Sequence, residues 1–279
     1  MGRQLGGPAP IAEAVIRVAP SPVRRLSIWL AAAAGLFLCP VAHALDVQQL
    51  GPSDVQLLDT TLQALEPSIS AKKTDGTAIL LTWEQLYEPL NLQQRAFLDE
   101  FRLLKASALG ATAHYFGELT TDADLAPVGT QSVPKDGAMV PLDPQYLPRN
   151  VLDAYQRMAA AMQADIGVRL LVESGYRSPA YQLYLFLYYL PKHGHSITET
   201  NRFVALPGHS EHGYPPRQAI DFINEAGING EDNPEAFEAL PEYRWLQAHA
   251  AAFGFAISYP RDNPLGTAFE PWHWHYEAR

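Results

Sequence analysis

The chain has one cysteine, Cys39, and it lies inside an apolar run from Leu26 to Val41. A single thiol builds no disulfide framework, so any fold of this sequence is held by buried apolar surface, helped at most by a bound metal. The run follows Arg24 and Arg25 and precedes Ala42-His43-Ala44. A positive region, a short apolar segment and a small-x-small site together read as a secretory signal over residues 1–44, and the run is short for a spanning helix. An uncleaved N-terminal anchor is the competing reading. Leu38 stands where a lipoprotein signal wants a small residue, which argues against lipidation. Cleavage would leave an exported chain, periplasmic or secreted, with no membrane span and no thiol chemistry.

With 279 residues, 47% of them hydrophobic, the chain can bury the core of one large domain or of a domain with a subdomain. The formal net charge of -10 comes from acidic residues spread along the sequence, which disfavours binding to a phosphate backbone and excludes nucleic acid as the expected partner.

Residues 45–130 read as a helical N-terminal region. Val55, Leu57, Leu58, Leu62 and Leu65 recur at helical spacing, Ala96, Phe97, Phe101 and Leu104 do so within Leu92 to Leu109, and Pro67 separates the two blocks. Thr120 to Pro148, rich in proline and glycine, reads as a connector near a subdomain boundary. Beyond it, in residues 131–279, helices are expected over Arg149 to Ala164, Ala180 to Leu190 and Pro241 to Phe253. Strands are expected over Val168 to Glu173, Ala219 to Ile223 and Trp272 to Tyr276. Ser178 and Pro179 are a cap and first-turn pair, so Arg177 falls where a strand gives way to a helix. The fold class is α+β, one mixed domain with a helical N-terminal addition.

Four of the nine histidines fall in two tight groups, His209 with His212 and His273 with His275. A zinc site that does chemistry needs three protein ligands and an open position for water. On a strand, His273 and His275 share a face but are displaced by nearly 7 Å, about twice the strand rise, so one of the two is the ligand. Glu270 can enter from the turn before that strand, as a carboxylate beside the metal rather than on it, which is what a hydrolytic site requires of its base. Asp221 stands in the apolar run Ala219-Ile220-Asp221-Phe222-Ile223, and a buried carboxylate there needs a metal, an arginine or a loop to cap. His114, His193, His195 and His249 have no matching carboxylate, and the tyrosines and phenylalanine of residues 181–189 read as packing, with room for one tyrosine at a cleft rim.

Taken in order, Ser174-Gly175-Tyr176-Arg177-Ser178 with Gln182, Ser210-Glu211-His212, Ala219-Ile220-Asp221 and Glu270-Pro271-Trp272-His273 resemble the D-alanyl-D-alanine carboxypeptidase family of LAS-type zinc peptidases. The resemblance covers about half of the chain, from Leu142 to Tyr276. It implies a small antiparallel sheet flanked by helices, with Zn2+ bound by His212, Asp221 and His273. It also implies Glu270 as base, Arg177 on the substrate, Ser210 beside the metal site and Gln182 holding the arginine turn. The implied substrate is a peptidoglycan stem peptide, most simply one ending in D-alanyl-D-alanine. A peptidoglycan endopeptidase of the same fold and a non-catalytic cell-wall-binding protein are the alternatives. This chain departs from the family's S-x-H-x-x-G-x-A-x-D pattern in one place. Gly213-Tyr214-Pro215-Pro216-Arg217-Gln218 makes the link between His212 and Ala219 two residues longer, which leaves open whether His212 or His209 is the ligand, or whether zinc is lost.

Overall fold

A computed structural model describes residues 45–109, 114–118, 124–265 and 267–277, which belong to one unit, Ala44–Arg279. The expected signal segment, residues 1–44, lies outside the described residues. The N-terminal stretch supplies α1 (Pro52–Thr74), α2 (Trp83–Tyr87) and α3 (Leu92–Leu103). α2 and α3 each begin with a capping box, Thr82 with Gln85 and Asn91 with Gln94, which satisfies two otherwise orphaned backbone donors at each start. Pro67 does not divide two helices. It lies inside α1, where Leu58, Thr61, Leu65 and Ile69 form a buried stripe on both sides of it. That shared burial keeps the helix continuous past the missing donor. In α3 the buried residues are Gln94, Phe97, Leu98 and Phe101, whereas Ala96 is exposed.

Residues 124–148 are not a plain connector. They form two antiparallel pairs, β1 (Leu125–Pro127) with β4 (Tyr146–Pro148) and β2 (Ser132–Lys135) with β3 (Ala138–Pro141). The β2–β3 hairpin turns on Asp136-Gly137, both at positive φ (52° and 81°), the backbone that a two-residue hairpin matching strand twist demands.

The second half is built from α4 (Arg149–Ile166), β5 (Leu170–Ser174), α5 (Pro179–Tyr189), α6 (Ile197–Thr200), β6 (Ala219–Asn224), α7 (Pro234–Glu238), α8 (Pro241–His249), β7 (Phe255–Tyr259) and β8 (Glu270–Tyr276). Helix α4 buries Val151, Leu152, Tyr155, Met158 and Met162 and stops at Gly167, which takes the left-handed backbone of a helix C-terminus. Four strands form one antiparallel sheet in the order β5-β6-β8-β7.

The alternation of side chains across this sheet separates core from site. Ile220 and Phe222 of β6 and Trp272 and Trp274 of β8 point to one face, where they pack with α4, α8 and Phe255. Asp221 and His273 therefore point to the other. On that side a second cluster joins α1, α2 and α3 to α5, with Phe186 fully buried 6.1 Å from Phe101. Tyr181 and Tyr184 are also buried there, while Tyr188 is 55% exposed. The fold is thus α+β, a small antiparallel sheet flanked by helices.

Since Phe186 ties the N-terminal helices to α5, Phe186→Ala is expected to cost about 3–5 kcal/mol. Urea denaturation followed by tryptophan fluorescence measures this, and a loss below about 1 kcal/mol would contradict the described packing.

Candidate metal centre

Antiparallel register sets Asp221 directly opposite His273 across β6 and β8. Cross-strand partners on one face are the closest side-chain neighbours a sheet offers, and Asp221 Oδ1 lies 2.8 Å from His273 Nδ1. His212 reaches the same point from a 3-10 turn, Glu211–Gly213, with Nε2 3.1 Å from Asp221 Oδ2. Ligand atoms of His212, Asp221 and His273 lie within 4.8 Å of one another. His212 is fully buried, and its Nε2 faces Asp221 without hydrogen-bond geometry, leaving a lone pair with no protein partner.

The opposite ring nitrogens are engaged. His212 Nδ1 lies 2.7 Å from the Gly175 carbonyl and His273 Nε2 lies 3.0 Å from Glu211 Oε2. Acceptors at those positions put a proton there in each ring, so His212 Nε2 keeps its lone pair toward the shared space and His273 Nδ1, facing Asp221, becomes a ligand atom once it gives up its proton, the arrangement found around metal-binding imidazoles. Gly175 has no room for a side chain, since a Cβ would fall 2.5 Å from the Tyr146 carbonyl oxygen. The turn that follows is braced by the N-terminal region. Ser178 N donates to the Ile79 carbonyl, and its hydroxyl donates to the Leu81 carbonyl while accepting from Tyr181 N at the start of α5.

The longer link after His212 folds into two successive 3-10 turns, the second over Pro215–Arg217. Gln218 closes it, its Nε2 donating to the carbonyls of His212 and Ala219. The extra residues are absorbed in the loop and His212 still meets Asp221. His209 sits elsewhere, with Nδ1 3.0 Å from the His114 carbonyl and its ring against Tyr115. His275 also stays out of the cluster, with Nδ1 2.7 Å from Ser258 Oγ.

Glu270 begins β8 rather than standing in the turn before it, and its Oε2 is 3.7 Å from His273 Nδ1. Burial pushes its carboxyl up to about 8, with Asp221 and Glu211 adding to the rise and His273 and Arg177 opposing it. Burial, followed by the Arg177 charge, brings His212 down to about 4, so its imidazole is neutral and able to bind a cation at pH 7. Burial opposes a charge on His273, but Asp221 and Glu211 outweigh it and hold the ring above the usual histidine range. A metal ion bound there would have to displace that proton.

The site opens on a cleft of about 920 Å³ whose lining includes Arg177, Gln182, Ser210 and Tyr259. Arg177 Nη2 is 4.0 Å from Asp221 Oδ2, and Arg177 Nε has no partner. Gln182 does not hold the arginine turn through its side chain. Its Nε2 donates to the Ala205 carbonyl across the cleft wall, and its Oε1 is buried and unpaired. Three groups were not singled out in the sequence. The Tyr259 ring lies 4.7 Å from the His273 ring, tilted by 43°, and burial, with the Glu211 and Glu270 charges, keeps its phenol protonated. Glu211 holds His273, as described above. Glu173 accepts from Asn229 at 2.7 Å on the cleft wall.

Among known proteins, the family model for VanY, D-alanyl-D-alanine carboxypeptidase, matches residues 144–279. The chain is 31% identical to YodJ of Bacillus subtilis (strain 168) over 137 residues, 48% of this chain and 48% of that protein. It is 30% identical over 139 residues to VanXYC of Enterococcus gallinarum, a bifunctional D-Ala-D-Ala dipeptidase and D-Ala-D-Ala carboxypeptidase, covering 47% of this chain and 67% of that one. The match thus spans about half the length of the first relative and two thirds of the second. Among solved structures, the vancomycin-resistance D,D-pentapeptidase VanY in complex with Zn(II) is similar at 24% identity and a TM-score of 0.42, covering 56% of this chain and 80% of that one. The N-terminal helices lie before the matched segment.

Burial raises the Glu173 carboxyl from 4.5 to about 7, with Asp221 and Glu231 adding to the rise and the Asn229 hydrogen bond opposing it. Between these values the folded chain holds a proton that the unfolded chain has released, so this group's contribution to stability falls as pH rises from about 4.5 to 7. In chelator, Glu173→Gln should remove that dependence and gain on the order of 1 kcal/mol at pH 8. Unfolding curves at pH 5 and pH 8 that differ equally in parent and variant would contradict it.

Proposed function

The chain belongs to the D-alanyl-D-alanine carboxypeptidase family, and from that membership and the geometry of the site we propose that it is a zinc peptidase acting on peptidoglycan stem peptides, releasing terminal D-alanine. The observation that carries this reading is the convergence of His212 Nε2, Asp221 and His273 Nδ1 within 4.8 Å, with both remaining ring nitrogens already engaged. Two imidazoles and one carboxylate suit zinc and leave a position for water or substrate. His212, Asp221 and His273 would hold the ion. When bound, zinc supplies Lewis acidity, lowering the pKa of a water and polarising the scissile carbonyl.

The remaining steps belong to the chain's own residues. Glu270, near the ligands but outside their cluster, takes the proton of the attacking water and returns it to the leaving amine. Its carboxyl, raised by burial, is tuned toward proton transfer near neutral pH, and a nearby cation would draw it down into its ionised, basic form. Arg177 lines the cleft with its Nη2 4.0 Å from Asp221 and its Nε without a partner, suited to a grip on the substrate's terminal carboxylate or to the developing oxyanion. Ser210 and Gln182 line the same wall, where the Ser210 hydroxyl would donate or accept and the unpaired Gln182 Oε1 could only accept.

The same reading places the protein outside the cytoplasm, where its substrate lies, with residues 1–44 as the export signal, 45–130 as a helical region and 131–279 as the catalytic region. Among the described residues no helix is long and apolar enough to cross a membrane.

Glu270→Ala is expected to lower kcat about 10²- to 10⁴-fold while one zinc per chain remains, and His212→Ala to lose the metal. Metal analysis beside a D-alanine release assay checks both, and near-normal turnover by Glu270→Ala would remove it as the base. A peptide ending in D-Ala-D-Ala should be cleaved and its amidated form spared, as read by mass spectrometry. Equal cleavage of the two would shift the reading to an endopeptidase.

A further inference from the structure

Glu211 is nearly as buried as the histidines it touches, with a side chain 6% exposed. An ionised carboxylate in that position is costly unless each oxygen is satisfied. Arg217 Nε donates to Oε1 at 2.7 Å, and Ser258 Oγ donates to Oε2 at 2.5 Å. Oε2 also faces His273 Nε2 at 3.0 Å. Arg217 is anchored in turn. Its Nη1 donates to Glu277 Oε1 at 2.5 Å, and its Nη2 lies 3.3 Å from His275 Nδ1.

Arg217 belongs to the stretch that makes the link between His212 and Ala219 longer than the family pattern. Its 3-10 turn packs against the end of β8, which carries the second histidine. We infer that Glu211 and Arg217 are positioning residues for the metal centre: Glu211 fixes the ring of His273 with Nδ1 toward Asp221, and Arg217, supplied by the lengthened loop, holds Glu211 in place. The inference rests on the zinc reading above. Its physical basis is that an imidazole whose far nitrogen donates to a carboxylate is both oriented and made more basic, and loss of such a partner typically weakens metal binding 10- to 100-fold. The extra residues are therefore part of the site's construction, and the loop is not a neutral insertion.

The test compares the full chain with Glu211→Gln, Arg217→Ala and Arg217→Lys, and with Arg261→Ala, which removes a surface ion pair to Glu235 and Glu238. Zinc dissociation constants are measured by competition with a chromophoric chelator, the visible spectrum of the Co(II)-loaded protein is recorded, and the melting temperature in chelator reports the fold separately. The expected result is zinc binding weakened at least tenfold in Glu211→Gln and Arg217→Ala, with an altered Co(II) spectrum. Arg217→Lys should recover part of the affinity, and Arg261→Ala should match the parent. The Arg217 side chain is 34% exposed, so its alanine variant decides the matter if Glu211→Gln does not fold. Zinc constants within twofold of the parent, or a loss that only follows a lowered melting temperature with an unchanged Co(II) spectrum, would overturn the inference while leaving the zinc reading intact. A parent chain that binds no zinc would overturn both.

Discussion

Asp221 and His273 face each other across the β6–β8 ladder, and the rest of the site is arranged around that pair. The register places a carboxylate opposite an imidazole on one face while Ile220, Phe222, Trp272 and Trp274 lock the other face into the core. A slip of one residue would bury Asp221 among those apolar side chains and expose the tryptophans, so the hydrophobic core enforces the geometry of the polar face. The site owes its precision to packing on the side of the sheet that does no chemistry.

Around this pair the protein concentrates acidic groups that would repel one another without a cation. Asp221, Glu270 and Glu211 all lie within reach of His273. Arg177 and Arg217 offset part of that charge from opposite sides, one open to the cleft and one woven into the loop. Two of the three carboxylates around His273 are driven in opposite directions. Glu211, held by His273 and by the Ser258 hydroxyl, stays ionised, whereas Glu270, buried without such hydrogen bonds, is pushed toward the neutral form. That division suits one for holding a ligand and the other for moving a proton.

Much of this was legible in the sequence, and the reasons are local. Helix α4 showed its apolar stripe, and α5 showed Ser178 and Pro179 at its start, signals that depend on neighbours in the chain. Asp221 stood out because Ala219, Ile220, Phe222 and Ile223 around it are all apolar. Other features depend on contacts distant in sequence. Pro67 reads as a break, yet burial on both sides of it carries α1 through. The β2–β3 hairpin hid in a proline-rich stretch, although Asp136-Gly137 is the turn dipeptide that marks one. Glu211 sits in the Ser-x-His motif, but its importance comes from Arg217, Ser258 and His273, which no periodicity links to it. Gln182 lies where the family motif puts it, but its side chain answers to Ala205.

His212, Asp221 and His273, with no further protein ligand, are proposed to hold a single zinc ion. X-ray absorption at the zinc edge of the loaded full chain tests this most directly. The predicted spectrum has two imidazole nitrogens with oxygen ligands, all at about 2.0–2.2 Å, and both imidazoles remain in His275→Ala and His209→Ala. A third imidazole in the shell, or the loss of an imidazole ligand when His209 or His275 is replaced, would contradict it.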